Sequence, residues 1–96
     1  MNNEHKENLL KFAEDYLKID ITKKKYSFLS TSSEKLALFI DLSEDKYDDH
    51  LVGFYLENNV LSFEDDKKHI LKDITPAWFR FIGKEHLLDD NEDMLP

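Results

Sequence analysis

The stretch Leu51 to Asp66 constrains this chain more than any other part of it. Asn58-Asn59 sits between two runs of alternating apolar residues, and asparagine tolerates the positive φ that a two-residue hairpin turn requires. A two-residue loop at that point sets Glu57 opposite Val60, Leu56 opposite Leu61 and Phe54 opposite Phe63. Val52, Phe54 and Leu56 then share one face with Leu61 and Phe63. A slip of one residue would send one of the two apolar sets to the wrong side. Turn chemistry and apolar pattern therefore agree on a β-hairpin over 51–64.

Other elements group around this hairpin. Residues 3–18 carry Leu9, Leu10, Ala13, Tyr16 and Leu17 at three- and four-residue spacings, widened by Phe12, and predict an amphipathic helix. Asn2 or Asn3 can cap it, and Glu7–Lys11 and Glu14–Lys18 are spaced to pair along it. After the basic connector Lys23-Lys24-Lys25, residues 26–31 read as a strand. Leu36, Leu38, Ile40 and Leu42 alternate with Ala37, Phe39 and Asp41, which favours a strand over the rival reading of a helix capped at Ser33. Thr75-Pro76 signals a helix start, with Thr75 as N-cap, and the apolar residues that follow extend the expected helix over about 76–88. An acidic tail occupies 89–96. The expected architecture is one α+β domain over 1–96: a small antiparallel sheet of three to four strands over about 26–64, with a helix at each end of the chain.

Composition narrows the functional classes. The 96 residues hold no cysteine, which excludes disulfides and thiol catalysis. No run of apolar residues is long enough to span a membrane, and Met1 to Lys6 lacks the apolar core of a secretory signal, so cytoplasmic residence is expected. With two glycines in all, Gly53 and Gly83, there is neither a phosphate-cradling loop nor a Gly-x-Ser-x-Gly elbow. His5, His50, His69 and His86 form no metal-binding helix pair. Asp65–His69 and His86–Asp90 each lack a third ligand, and surface histidines are the expectation. The carboxylate-rich segment Asp41–Asp49 has Lys46 where a calcium loop needs glycine and Val52 where it needs glutamate. No cofactor, metal or catalytic role is therefore expected, and the chain reads as a binding protein.

The net charge of −8 is unevenly distributed. Residues 1–25 hold six lysines against five acids, while 26–96 hold seven basic groups against sixteen acids. A negative body opposes direct nucleic-acid binding, because phosphate contacts need Lys and Arg. It steers a cationic protein toward the surface. Lys exceeds Arg twelve to one, which suits a bacterial or phage source. The expected partner surface comprises Asp45, Asp48 and Asp49 before the hairpin and Glu64, Asp65 and Asp66 at its exit, with Tyr47 and Tyr55 as packing anchors. The fuller acidic groups, Asp41, Glu44, Asp45, Asp48 and Asp49 on one side and Glu57, Glu64, Asp65 and Asp66 on the other, are expected to bracket opposite ends of the hairpin strands. Trp78 is a further candidate anchor, with burial in the core as the commoner fate of a lone tryptophan. A monomer or homodimer that inhibits a cationic protein fits best, as an immunity protein against a nuclease-type toxin does. A phage DNA mimic acting on a nucleic-acid-binding defence protein, and a secretion chaperone or adaptor, are the alternatives.

Overall fold

A computed structural model describes residues 3–32 and 35–84. Helix α1 (Asn3–Leu17) leads through a short 3-10 turn at Ile21–Lys23 into five strands: β1 (Lys25–Ser32), β2 (Lys35–Asp41), β3 (Leu51–Glu57), β4 (Val60–Asp65) and β5 (Ile70–Asp73). Helix α2 (Thr75–Phe81) follows. The strands form one antiparallel meander in the order β1-β2-β3-β4-β5. The architecture is α+β, and the segment 35–41 is a strand. The sheet has five strands where three to four are expected. The additional one, β5, holds only four residues, of which Leu71, Lys72 and Asp73 are exposed. So short and open a strand leaves no alternating pattern to read, and it forms because β4 offers it an edge.

The central hairpin has the register that its turn dictates. Glu57 pairs with Val60, Leu56 with Leu61 and Phe54 with Phe63. Asn58 and Asn59 take φ of 51° and 68°, as the tight turn demands. Alternation then sorts every side chain onto one of two faces. Leu36, Leu38 and Ile40 of β2 line up with Val52, Phe54 and Leu56 of β3 on the covered face, and all six are buried.

Both helices pack on that face through aromatic rings. Phe12 of α1 meets Phe54 edge-on at 6.2 Å between ring centroids, Trp78 of α2 at 5.5 Å and Phe81 at 5.5 Å. Tyr16 adds contacts to Phe54 and Phe63. Phe12 is thus the centre of the helix–sheet joint, and Trp78 belongs to the core, 2% exposed.

The helix ends differ from expectation. Glu14 does not pair with Lys18; its carboxylate accepts the Ile21 N–H at 2.9 Å and fixes the exit from α1, while Lys18 lies 3.7 Å from Asp15. At α2 the N-cap position is Ile74, and the capping acceptor is Asp73, which takes the Thr75 N–H at 2.8 Å. The Thr75 hydroxyl instead accepts the Leu61 N–H at 2.9 Å and ties the helix start to β4. Helix α2 stops at Phe81, and Gly83 takes a φ of 78° just beyond it. The helix expected to reach 88 thus ends before Ile82, and residues 85–88, the tail 89–96, the capping side chains Asn2 and Asn3, and Ser33 lie outside the described residues. No helix among the described residues is long and apolar enough to cross a membrane.

Removing the Phe12 ring should loosen both helices at once. Phe12→Ala is expected to cost about 3–5 kcal/mol in a urea titration, against under about 1.5 kcal/mol for Leu10→Met on the half-buried flank of α1.

Candidate functional site

The loop 42–50 and the β4–β5 turn 66–69 meet at one end of the sheet. The hairpin explains why. In an antiparallel pair the start of β3 and the end of β4 lie side by side, so the residues before Leu51 and after Asp65 are neighbours. The two acidic groups therefore share one end rather than bracketing opposite ends; only Glu57 sits at the far end, beside the Asn58-Asn59 turn.

Hydrogen bonds close the 42–50 loop on itself. Its ends are clamped where the Leu42 N–H donates to the His50 carbonyl at 2.7 Å and the His50 N–H to the Ser43 hydroxyl at 3.0 Å. Asp41 accepts the Ser43 N–H, Asp45 the Tyr47 N–H and Asp48 the Glu44 N–H. Each is a short carboxylate turning back on its own backbone, the usual aspartate turn chemistry. These bonds hold Asp41 and Asp48 below the ordinary carboxylate pKa. For Asp48 the largest cause is the bond from Lys67, with the Glu44 N–H second. Lys67 also anchors the loop to the β4–β5 turn by donating its ammonium to Asp48.

A buried pair joins the same two segments. The Nε2 of His50 lies 3.0 Å from both carboxylate oxygens of Asp65, with side-chain exposures of 12% and 4%. Asp65 also accepts the Lys68 N–H at 3.2 Å. Burial by itself would raise the Asp65 pKa, but the bonds from His50 and Lys68 outweigh it and the carboxyl titrates below its ordinary value. Two expectations are corrected here. Asp65 is not a surface carboxylate, because alternation along β4 places it after Leu61 and Phe63 on the covered face. His50 is not a surface histidine, because it partners that aspartate.

The other expected site residues divide between two places. Tyr47 stands at the loop tip, 86% exposed, with Asp45 and Asp49 exposed on the same loop and Asp66 exposed on the adjoining turn. Glu44, not among the expected partner residues, is exposed there as well. Tyr55 and Glu64 are elsewhere, on the uncovered face of the sheet. The Tyr55 hydroxyl donates to Glu64 at 2.8 Å, and burial followed by this bond pushes its pKa up to about 12.

Among the described residues, no three ligating side chains converge as a metal site would need. His69 sits in the β4–β5 turn with φ of 55°, while the Asp65 carboxylate is turned to His50. No buried side-chain polar atom among the described residues lacks a partner. The geometry at the loop end is that of a stiff, acidic projection carrying one aromatic ring. No family model matches the chain, and neither the curated proteins nor the solved structures contain a match to it.

The buried pair sets a specific acid response. The Asp65 pKa is lower folded than unfolded, so its contribution is present above about pH 4 and is lost as pH falls through the folded value. His50→Ala should cost about 3 kcal/mol at pH 7 by leaving a buried carboxylate without its partner. Asp65→Asn should flatten the acid limb of a stability–pH curve below about pH 4. A limb unchanged in Asp65→Asn would mean the pair contributes nothing to acid stability.

Proposed function

We propose that this chain is a small inhibitory binding protein that docks a cationic protein through the acidic end of its sheet. The observation that supports this most is Tyr47: an aromatic side chain 86% exposed to water, on a loop braced by its own carboxylates and by Lys67. Tyrosine is favoured as an interface anchor, since it offers a large contact area with few rotors to freeze. A loop already held in one shape gives up less entropy on docking than a free one. Glu44, Asp45, Asp49 and Asp66 surround it with a negative field that accelerates encounter with a basic surface.

In its particular form the reading is an immunity protein that occupies the basic active site of a nuclease-type toxin, where carboxylates stand in for substrate phosphates. The DNA-mimic alternative calls for carboxylates strung along an extended face. The uncovered sheet face has Lys25 and Lys35 among its acids, which weakens that alternative. The chaperone or adaptor reading gains one observation, an apolar cleft on the same uncovered face lined by Leu29, Ala37, Phe39 and Tyr55.

Affinity capture from the native host with immobilised chain should retain a basic protein. Tyr47→Ala is expected to weaken that complex by about 2 kcal/mol, mainly in its dissociation rate. The set Glu44→Gln, Asp45→Asn, Asp49→Asn and Asp66→Asn should slow association and flatten its salt dependence. The amide introduced by Asp45→Asn keeps an acceptor for the Tyr47 N–H, so the loop brace survives the exchange. Glu4→Gln with Glu7→Gln, on the exposed side of α1, serves as the control. Capture of an acidic partner, or equal effects from the two charge sets, would refute the reading.

A further inference from the structure

Both helices lie on one face of the sheet, no described residue covers the other, and that open face has an order along its strands. On β2 it reads Lys35, Ala37, Phe39, Asp41: a cation, a small side chain, a large ring, an anion. On β3, from the same end, Glu57 lies beside Lys35, Tyr55 beside Ala37, Gly53 beside Phe39 and Leu51 beside Asp41. The Tyr55 ring lies across Gly53, where a Cβ would come within 3.0 Å of it. Phe39 meets that ring edge-on at 5.7 Å. Tilted this way, Tyr55 leaves a cleft of about 210 Å³ above Ala37, open to solvent, with Leu29 on its rim and Lys35 and Glu57 at its end. Leu29, Leu51, Val60 and Leu71, all on this face, are 47–71% exposed.

We propose that this face is a homodimer interface, in which a second copy stacks on it with its strands reversed about a two-fold axis that lies parallel to the sheet and crosses β2 between Ala37 and Phe39. The pattern fits that operation. Reversing β2 over itself sets Phe39 of each copy above Ala37 of the other, so the ring of one enters the cleft of the other. It sets Lys35 of each copy opposite Asp41 of the other, and both pairings occur twice, as a self-complementary patch requires. The size is adequate. Five strands of four to eight residues, 32 in all, about 4.8 Å apart and at about 3.3 Å per residue, present roughly 500 Å² per copy, or about 1,000 Å² for the pair. That reaches the lower bound for a specific interface. Lys25 and Lys35 stand on its margin among Asp41, Glu57, Glu64 and Asp73, and a second copy answers the cation at one end of β2 with the anion at the other. Strand reversal also places the two acidic ends at opposite extremes of the dimer, so each stays open.

Sedimentation velocity of the purified full chain over a concentration series tests this with no partner present, so its outcome is separate from that of the capture experiment. The wild-type chain should dimerise. Ala37→Lys, which puts a charge where the Phe39 ring must enter, should raise the dimer dissociation constant by roughly a hundredfold or more while leaving the circular dichroism spectrum unchanged. If that variant does not fold, Leu29→Lys, at a position 55% exposed, reads the same face. Lys35→Glu with Glu57→Lys, which keeps the 3.2 Å bridge between those two positions, should weaken the dimer, and adding Asp41→Lys with Lys25→Glu should recover much of the loss, because the full exchange restores both cross-pairs and sets no like charges side by side within a sheet. A wild-type chain that stays monomeric to its solubility limit would overturn the proposal. So would a dimer indifferent to Ala37→Lys and to the charge exchange, which would point to another surface such as the free edge of β1.

Discussion

The joint between Phe12, Phe54 and Trp78 governs everything else in this molecule. One ring from each helix and one from the central strand meet at 5.5–6.2 Å in edge-to-face geometry. Such contacts are directional, so they fix where the helices lie as well as that they stick. Because both helices are held on one side, no described element covers the other side of the sheet. The buried face and the exposed face are two consequences of the same packing choice.

A second constraint acts at the end of the sheet. Asp65 occupies a core-facing position of β4, where a carboxylate is costly unless it is paired. His50 meets that need, and in doing so links the last residue of the 42–50 loop to the strand that feeds the β4–β5 turn. Lys67 and Asp48 repeat the link at the surface. A loop nine residues long would ordinarily sample many shapes. Here it is clamped at its ends, braced within and tied to its neighbour, and Tyr47 is the aromatic ring it leaves pointing outward.

These ties also alter the electrostatic picture. Of the six carboxylates expected to face a partner, Asp48 and Asp65 answer cationic or imidazole groups of the same chain, and Glu64 answers Tyr55. The field that remains at the loop end comes from Glu44, Asp45, Asp49 and Asp66, offset in part by Lys68 and by Lys46, whose ammonium lies 5.1 Å from the Tyr47 ring centroid. It is smaller than the count of acids implies and more localised. The open sheet face is of another kind, apolar at its centre and bearing both signs at its margins, so the two surfaces suit different occupants.

Much of this was legible from the residues. The Asn58-Asn59 turn and the alternation beside it determined the hairpin, its register and the face on which Phe54 and Phe63 lie, because turn geometry and a period of two leave one solution. Carried two residues further, the same register places Asp65 after Leu61 and Phe63 on the core side, and that reading was available without coordinates. The amphipathic stripe of α1 was equally plain, and alternation favoured a strand at Leu36–Ile40 over a helix capped at Ser33. Tertiary structure alone decided the rest. Strand β5 exists because β4 has an edge to offer, not because four mostly exposed residues prefer to be extended. Asp73 rather than Thr75 caps α2, because Thr75 is drawn to the Leu61 backbone. His50 finds Asp65 fifteen residues away, a pairing no local pattern encodes. Which face of the sheet stays open depends on where two helices dock, and that is settled by the shapes of the rings that meet between them.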